Sequence, residues 1–431
     1  MKTGVISLGC SKNTVDTERM LYILSRAGHT FTPDPAEAEI LIVNTCGFIN
    51  DAKEESINTL LEMAQYKENG ACRLLVGTGC LTERYRKELA EEMPEIDILL
   101  GVREYEKLPG LIAEKLALPA PAPLTCTDRI LTTPPYRAYL RTGDGCNNRC
   151  TYCAIPLIRG PLCSEPVEEL VEEAKRLADR GVTELTVIAQ DTSGYGKDRY
   201  GEPMLIPLLK QLNTIDALHW VRVLYTYPDT VNEALLDTLR EGEKLIPYLD
   251  IPLQHINDEV LRRMHRRGDS RHIKALLEYL YKTWPEFTLR TTMMVGFPGE
   301  TDEAFAELLQ FLKDYPFDRV GAFAFSPEEG TEAALMPDQI PEEVKQERLD
   351  RLMRAQKPIS MRRNRSRIGK EAEMLIEDLN DKYAIGRSPF EAPDVDGRVY
   401  IPRRAYHAPG QYVPIRFTRA GEYDMRGEEL E

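Results

Sequence analysis

Six of the nine cysteines fall into two groups of three. The compact group lies in the run C-N-N-R-C-T-Y-C and consists of Cys146, Cys150 and Cys153. The members of the dispersed group each follow a short apolar run that ends in small or polar residues: Cys10, Cys46 and Cys80. Three thiolates can anchor three irons of a four-iron cubane, and the fourth iron then stays open. An open metal position is what catalysis at a cluster requires, so the sequence predicts two catalytic iron–sulfur sites.

Zinc is the alternative metal that the compact group could bind. A structural zinc site normally takes a fourth cysteine or histidine from nearby, and no histidine lies between Cys126 and His219. An incomplete zinc site or three buried thiols would leave the regular spacing of three and then two residues without a purpose. The spacing therefore favours a cluster over zinc.

The dispersed cysteines depend on the fold of residues 1–118. Short apolar segments at 5–8, 40–43 and 74–77 read as strands, each followed by a helical pattern. Connections of that length predict parallel strands, and the three cysteines then lie at strand carboxyl ends, where open α/β sheets place their ligands. The alternative is three unrelated buried cysteines.

Three polar residues near the dispersed cysteines are candidates to donate hydrogen bonds to cluster sulfur. They are Lys12, Asn13 and Asn44. Asn13 could instead cap the helix that follows it, and the sequence does not decide between the two roles.

The rest of the chain divides into four segments. A proline-alternating linker spans 119–135. Residues 136–340 alternate strand and helix patterns, which indicates a (β/α) partial barrel whose chemistry lies at the carboxyl ends of its strands. A charged connecting helix covers 341–368, and residues 369–431 read as a small β-barrel. The predicted strands of the two barrels are 138–142, 184–189, 220–225, 248–251, 288–295 and 320–325, then 374–376, 383–387, 398–401 and 412–416.

Charge and cysteine usage restrict the partners and the compartment. The chain of 431 residues has 55 basic and 70 acidic residues and a net charge of −15, which disfavours a protein that holds nucleic acid by broad phosphate neutralisation. Its sequence has no apolar run of 18 residues and no secretory N-terminus, so we expect no contact with a membrane. An odd number of cysteines favours a reducing compartment, and we expect a cytoplasmic protein.

Motifs along the whole length resemble the radical S-adenosylmethionine (SAM) methylthiotransferase family. The chain carries S-L-G-C-S-K-N at 7–13, N-T-C-G-F-I at 44–49, G-C-L-T-E-R-Y at 79–85, C-N-N-R-C-T-Y-C-A-I-P at 146–156, A-Q-D-T-S-G-Y-G at 189–196, L-D-I-P-L-Q-H at 249–255 and V-G-F-P-G-E-T at 295–301. The tail, with G-R-S-P-F-E-A-P-D-V-D-G at 386–397, is similar to a TRAM domain. Together these motifs are specific, whereas each one alone is weak except the cysteine run.

The resemblance implies cofactors and further site residues. Cys146, Cys150 and Cys153 would hold the radical SAM 4Fe–4S cluster, and Cys10, Cys46 and Cys80 an auxiliary 4Fe–4S cluster that carries the sulfur to be inserted. Tyr152, Gln190 and Gly296 would contact SAM. An electron donor and a sulfur source would be needed as partners. No catalytic side chain is implied beyond the cluster ligands, and we expect a monomer.

Two motifs favour one branch of this family. A-Q-D-T-S-G-Y-G and L-D-I-P-L-Q-H resemble the branch that methylthiolates the β-carbon of an aspartate in ribosomal protein twelve of the small subunit, free or in the subunit. The alternatives are a tRNA adenosine methylthiotransferase and a non-catalytic iron–sulfur sensor that binds RNA or the ribosome.

Glu165 departs from the family pattern, which commonly has arginine there. Cys72, Cys126 and Cys163 match no motif, and we expect them to be inert.

Overall fold

The structure is a computed structural model that describes residues 1–119 and 121–431. Its N-terminal domain is a five-stranded parallel sheet in the order β2-β1-β3-β4-β5. Every residue of β3 and β4 is buried because helices cover both faces of the sheet. The elements are β1 (Lys2–Ser7), α1 (Ser11–Arg26), β2 (Thr30–Phe31), β3 (Ile40–Thr45), α2 (Asn50–Ala64), α3 (Tyr66–Asn69), β4 (Leu74–Gly79), α4 (Cys80–Arg84), α5 (Arg86–Glu92), β5 (Ile98–Leu99) and α6 (Leu108–Lys115).

The central part is a partial barrel of six parallel strands. They form two sheets, β6-β9-β10 and β11-β12-β13, and backbone hydrogen bonds such as Thr226 N to Asp250 O (3.0 Å) join the two. The elements are β6 (Arg137–Arg141), β7 (Gly143–Asp144), α7 (Ile155–Ile158), β8 (Cys163–Ser164), α8 (Val167–Asp179), β9 (Glu184–Ile188), α9 (Lys197–Tyr200), α10 (Leu205–Leu212), β10 (Trp220–Val223), α11 (Glu233–Glu241), β11 (Tyr248–Asp250), α12 (Asp258–Arg263), α13 (Ser270–Thr283), β12 (Thr288–Val295), α14 (Asp302–Asp314) and β13 (Arg319–Ala324).

A long helix and a closed five-stranded barrel complete the chain. Their elements are α15 (Glu342–Arg365), β14 (Glu371–Leu379), β15 (Tyr383–Arg387), β16 (Val399–Pro402), β17 (Tyr412–Ala420) and β18 (Met425–Glu429). The barrel order is β14-β15-β16-β18-β17, so the α/β architecture with a small terminal barrel is confirmed. Strand β18 was not among the predicted strands, because its sequence, M-R-G-E-E, buries only Met425 and Gly427 and lacks a β-branched residue.

The two faces of the partial-barrel strands have different partners. Val187, Val221 and Leu249 belong to the large apolar core that includes the surrounding helices. Trp220 and Tyr248 instead pack in a cluster with residues of the C-terminal barrel. Residues one position apart point to opposite faces of a strand, so the alternation puts the C-terminal barrel in contact with the inward face of the partial barrel.

Ion pairs and a hydrogen bond attach the C-terminal barrel to the amino-terminal ends of these strands. Arg387 at the end of β15 donates to Glu184, the first residue of β9, at 3.0 Å. Arg319, the first residue of β13, donates to Glu391 at 3.0 Å, and the Tyr248 hydroxyl at the start of β11 donates to Asp396 at 2.6 Å. The C-terminal barrel therefore closes one end of the partial barrel and leaves the carboxyl ends of its strands to the N-terminal domain.

No helix within residues 1–119 and 121–431 combines the length and the apolar character that crossing a membrane requires.

The buried Glu184 carboxylate yields a stability prediction. Glu184→Gln would leave Arg222, whose Nε lies 3.6 Å from Glu184, without its carboxylate and would weaken the attachment of Arg387. We expect a loss of about 3–5 kcal/mol, because removing one partner leaves buried charge uncompensated, measured as the shift of the denaturant-unfolding midpoint. Glu371→Gln is the control, since its pair with Arg416 is about half exposed and is worth less than about 1 kcal/mol. Equal shifts for both variants would contradict the prediction.

Candidate active site

The dispersed cysteines lie at the carboxyl ends of three adjacent strands. Cys10 follows β1 and caps α1, Cys46 follows β3, and Cys80 begins α4 directly after β4. Strands β1, β3 and β4 pair in parallel, so their ends meet at one edge of the sheet. The three cysteines are thus brought to one place, as their equivalent positions in the sequence predicted.

Two glycines allow the backbone to approach closely at this edge. Gly9 has a φ of +88°, and a Cβ there would lie 3.2 Å from the Cys46 sulfur. Gly79 has a φ of +100°, and a Cβ there would lie 2.4 Å from Asn44 Oδ1. Both positions need the left-handed conformation and the absence of a side chain, which explains the glycine step before two of the cysteines.

Burial raises the pKa of two of the three dispersed thiols, Cys46 and Cys80. It raises the pKa of Cys80 to about 12, although the nearby Arg159 guanidinium acts in the opposite direction. Burial also raises the pKa of Cys46. A charge on Cys10 raises both pKa values further, because the Cys10 thiol lies near the other two. Such thiols ionise when a metal replaces the proton.

The compact cysteines lie on the loop between β7 and α7. Cys153 N donates to Cys150 O (3.0 Å), which closes a turn, and the amide of Asn148 lies 3.5 Å from the Cys146 sulfur. The Asn148 side chain donates to Asp191 (2.7 Å), which follows β9. Burial raises the pKa of Cys146 to about 11 and that of Cys153 to about 12, and the other thiols of the loop add to the shift. The loop therefore collects three thiols at the carboxyl end of the partial barrel.

Two residues that the sequence did not indicate flank Cys150. The Tyr227 hydroxyl lies 3.6 Å from the Cys150 sulfur, and Arg266 Nη1 lies 3.9 Å from it. The Arg266 guanidinium also stacks on the Tyr227 ring at 3.9 Å. Neither residue stands in a recognisable motif, and only the folded chain brings them to the cysteine loop.

The donor set fits a cluster better than a single ion. Among the residues that the structure describes, no three His, Cys, Asp or Glu side chains lie close enough to share one metal ion. A mononuclear zinc site would need such a group, whereas the ligands of a cubane bind separate irons. All nine cysteines are free thiols, so no disulfide competes for the two triads.

Arg159 connects the two triads. Its Nη2 donates to Asp16 (3.0 Å) and Asn13 (2.7 Å) of α1 and lies 3.5 Å from the Cys80 sulfur. Its Nη1 donates to Asp144 (3.1 Å), two residues before Cys146. The guanidinium is buried and lies between the two sites. Arg159 stands in the I-P-L-I-R-G run just after the cysteine loop, and this proximity was the only signal in the sequence.

The predicted SAM contacts lie at the same end of the partial barrel. Tyr152 packs edge-on against Phe297, with ring centroids 6.5 Å apart. Gln190 Nε2 donates to Asp144 at 3.1 Å, and its Oε1 is buried without a hydrogen-bond partner in the described part of the chain. Gly296 has a φ of +71°, but its amide already donates to Glu300 at 2.8 Å. The Gly296 amide is therefore engaged within the protein.

The three expected donors to cluster sulfur behave differently from one another. Asn13 lies inside α1, so the capping alternative is wrong. Its Oδ1 accepts from the Cys80 thiol (3.7 Å), while its Nδ2 donates to backbone carbonyls, so Asn13 does not donate to a sulfur. Asn44 donates to Asn13 O and Thr17 Oγ1 (both 2.9 Å), so its amide holds α1 against β3 and does not reach a sulfur. Lys12 has no hydrogen bond to a cysteine sulfur among the described residues, and its Nζ lies 3.1 Å from the centroid of the Tyr225 ring.

Two residues with positive φ and two unpaired glutamine oxygens lie where the partial-barrel strands end. Tyr225, after β10, and Gln254, after β11, are non-glycine residues with φ of +63° and +71°. The Oε1 atom of Gln254 is buried and, like that of Gln190, has no hydrogen-bond partner in residues 1–119 and 121–431. Strain and unsatisfied polar atoms concentrate at ligand sites, so this end, which we call the mouth, is where a ligand fits.

The remaining residues of interest lie outside both triads. Cys72 is buried in the core of the N-terminal domain, Cys126 donates to Asp128 O (3.3 Å), and Cys163 is exposed at β8. Glu165, where the family pattern has arginine, lies 3.7 Å from Arg19 on α1. Its carboxylate is thus oriented by the N-terminal domain.

Family models match three parts of the chain. The model described as Radical SAM superfamily matches residues 140–312, Uncharacterized protein family UPF0004 matches 2–101, and TRAM domain matches 368–429. Among solved structures, the radical S-adenosylmethionine methyltransferase TsrM from Kitasatospora setae aligns with a TM-score of 0.55 and 13% identity, covering 74% of this chain and 72% of that chain. At that identity the likeness shows the fold alone.

Curated relatives match from end to end. The ribosomal protein uS12 methylthiotransferase RimO of Caldicellulosiruptor saccharolyticus is 44% identical, with 100% of both chains covered. Its counterpart from Syntrophotalea carbinolica is 46% identical over 99% of this chain and 96% of the relative. That of Clostridium perfringens is also 46% identical, over 99% and 97%. The chain therefore belongs to the RimO family of ribosomal protein uS12 methylthiotransferases, which are radical SAM enzymes.

Proposed function

We propose that this chain adds a methylthio group to the β-carbon of an aspartate in ribosomal protein uS12. The observation that carries the proposal is the pair of three-cysteine sites at strand carboxyl ends, joined by the buried Arg159. The RimO relatives named above have uS12 as their substrate by name. Two sites on facing domains allow sulfur to be delivered to the carbon that the other site activates.

Each triad is proposed to hold one 4Fe–4S cluster. Cys146, Cys150 and Cys153 would bind the cluster that works with SAM, and Cys10, Cys46 and Cys80 the auxiliary cluster. Three thiolates each leave one iron open, and the free, mutually interacting thiols of both groups fit that requirement. When bound, the clusters and SAM supply one-electron chemistry at an unactivated carbon, which no side chain of the protein can provide.

The side chains of the mouth bind and orient. The unpaired Oε1 of Gln190 is available to accept a hydrogen bond from SAM, and Gln254 offers a second such oxygen. Tyr152, which packs against Phe297, would present its ring to the adenine. Gly296 would contact SAM through its carbonyl or Cα, because its amide is engaged with Glu300.

Other side chains hold the cysteines in place. Arg266 lies beside Cys150 of the compact triad, and Arg159 lies beside Cys80 of the dispersed triad. Both are cations near thiolates, and a cation near a reduced cluster favours the added electron. Asn13 Oδ1 accepts hydrogen bonds from both Arg159 and Cys80, so Asn13 also holds this side of the dispersed triad.

The segments defined from the sequence divide the work. Residues 1–118 would hold the auxiliary cluster and 136–340 would generate the reactive species, with 119–135 and 341–368 as connections and 369–431 as the TRAM-like barrel. A separate electron donor and a sulfur source would be partners of a monomeric chain. The nine free thiols fit work in a reducing cytoplasm.

The alternative substrate is a tRNA adenosine, and the connecting helix is the feature that favours it. Residues 341–368 contain nine basic and four acidic residues. However, Arg363 donates to Asp318 and Arg367 is buried against the same carboxylate, while Arg362 and Arg365 are exposed. Two of the four arginines at the end of this helix are thus neutralised inside the protein, which weakens the case for an RNA surface.

The compact triad can be tested by substitution. The chain reconstituted with iron and sulfide under anaerobic conditions should hold about eight irons. Changing Cys146, Cys150 and Cys153 together to Ala should remove roughly half of the iron and all cleavage of SAM to 5′-deoxyadenosine. Changing Cys72, Cys126 and Cys163 to Ala is the control and should alter neither. Continued SAM cleavage by the first variant would disprove the assignment.

The dispersed triad should separate SAM cleavage from sulfur insertion. Changing Cys10, Cys46 and Cys80 to Ala should remove about half of the iron and abolish methylthiolation, while 5′-deoxyadenosine still forms. The reason is that cleavage needs only the compact triad. Mass spectrometry of uS12 would measure the product, and methylthiolated uS12 from this variant would rule out the division of labour.

The substrate itself decides between the two branches of the family. The purified enzyme should add one methylthio group to an aspartate of uS12, presented alone or in the small subunit. It should leave isopentenyladenosine-containing tRNA unchanged, because the terminal barrel, with 11 basic and 13 acidic residues over 365–431, lacks a basic surface for phosphates. Methylthio-adenosine in that tRNA, with uS12 unmodified, would assign the chain to the tRNA branch.

A further inference from the structure

Lys12 is a largely buried lysine whose ammonium has no carboxylate within 4.0 Å among the described residues. Its side chain belongs to a residue that is only 7% exposed, and its Nζ lies 3.1 Å from the centroid of the Tyr225 ring. Across the described chain, every other buried Lys or Arg has a carboxylate within 4.0 Å: Arg129, Arg141, Arg159, Arg222, Arg319, Lys345, Arg348, Arg367 and Arg387. A cation that is partly removed from water without a counter-charge costs free energy. Binding of an anion would lower this cost, so Lys12 is a candidate anion-binding residue.

The surroundings of Lys12 also favour an anion. It stands in the first turn of the 16-residue helix α1, where backbone amides and the helix dipole are positive. That turn contains no acidic residue, and its cap residue Cys10 makes no side-chain hydrogen bond to it. Next to Lys12, the Ser11 hydroxyl oxygen is buried and has no hydrogen-bond partner in the described residues. The Lys12 ammonium, the Ser11 hydroxyl and the N-terminus of α1 thus lie together, and no acidic group of the described residues is bound to them.

The position of Lys12 indicates which anion it takes. Lys12 follows Cys10 by two residues, and Tyr225 stands at the mouth, where β10 ends. The ammonium therefore lies between the dispersed triad and the end of the partial barrel. SAM is assigned to the compact triad, whereas Lys12 belongs to the segment that carries the auxiliary site. An anion on Lys12 is more naturally the substrate than SAM.

We propose that Lys12, with Ser11, binds the side-chain carboxylate of the aspartate that is modified. This inference rests on the proposed function and names the group that selects its substrate. The carboxylate and the β-carbon of aspartate are directly bonded, so a carboxylate on Lys12 holds the β-carbon at the mouth, near Tyr225. An asparagine side chain also accepts from an ammonium, but it is neutral and forms no ion pair, so its hydrogen bond to Lys12 is weaker. Lys12 is thus a specificity-determining residue.

The test compares two forms of the substrate. The full-length, anaerobically reconstituted enzyme is titrated with uS12 and with uS12 whose target aspartate is replaced by asparagine, and the two dissociation constants are measured by fluorescence anisotropy. The wild type should prefer the aspartate form by about 10- to 100-fold, the range of a hydrogen bond between charged groups. Lys12→Gln should bind both forms equally, and Lys12→Arg should retain part of the preference. Lys87→Gln, at an exposed lysine of the same domain, should match the wild type.

Other results would overturn the inference in distinguishable ways. If Lys12→Gln keeps the aspartate preference but binds SAM more weakly, the carboxylate on Lys12 is that of SAM. If it keeps the preference but shifts the midpoint potential of the auxiliary cluster, Lys12 serves the cluster. Should Lys12→Gln fail to hold iron, Ser11→Ala, which removes only the hydroxyl, must still reduce the preference severalfold. A wild-type enzyme that neither binds nor modifies uS12 would overturn the proposed function as well.

Discussion

The relation between the two cysteine sites depends on one buried guanidinium. Arg159 donates to Asp16 and Asn13 of the N-terminal domain and to Asp144 of the partial barrel, and it lies against the Cys80 sulfur. Arg141 adds a second buried pair with Asp16 across the same junction. Taking these charges out of water is offset only when every partner is in place. The network therefore permits one arrangement of the two domains, and a reaction that uses both sites needs that arrangement.

The partial barrel is closed at both ends by other parts of the chain, and the two closures differ in chemistry. At the amino ends of the strands, the C-terminal barrel supplies Glu391 and Asp396 to Arg319 and Tyr248. At the carboxyl ends, the N-terminal domain supplies the dispersed cysteines and Lys12. In the first closure each buried arginine has a carboxylate partner, although Arg319 Nε and Arg387 Nε keep no hydrogen-bond partner among the described residues. In the second closure the Lys12 ammonium has no carboxylate partner, and the Oε1 atoms of Gln190 and Gln254 have no hydrogen-bond partner among the described residues. These groups are available to a ligand.

Local sequence patterns predicted the strands and the cysteine sites because both are local properties. Apolar runs of four to eight residues define buried strands, and a cysteine directly after such a run lies at the carboxyl end of the sheet. Arg266, Tyr227 and Arg159 could not be assigned in this way, because their contacts with Cys150 and Cys80 join segments 77 to 116 residues apart. Asn13 and Asn44 were found near the site, but the direction of each amide was decided by packing between α1 and β3.

The acidic net charge of this protein also describes its surface, although several of its basic residues are internal. The chain carries 15 more acidic than basic residues, yet Arg367 and Arg387 are buried in ion pairs and contribute no field at the surface. Neutralised pairs cancel within the protein, so the surface keeps the acidic excess. An acidic surface attracts basic ribosomal proteins and repels the phosphates of RNA. The electrostatic field of an acidic surface cannot select an aspartate from such a basic partner, so this selection requires a local cation. At the mouth, Lys12 is a cation without a carboxylate partner.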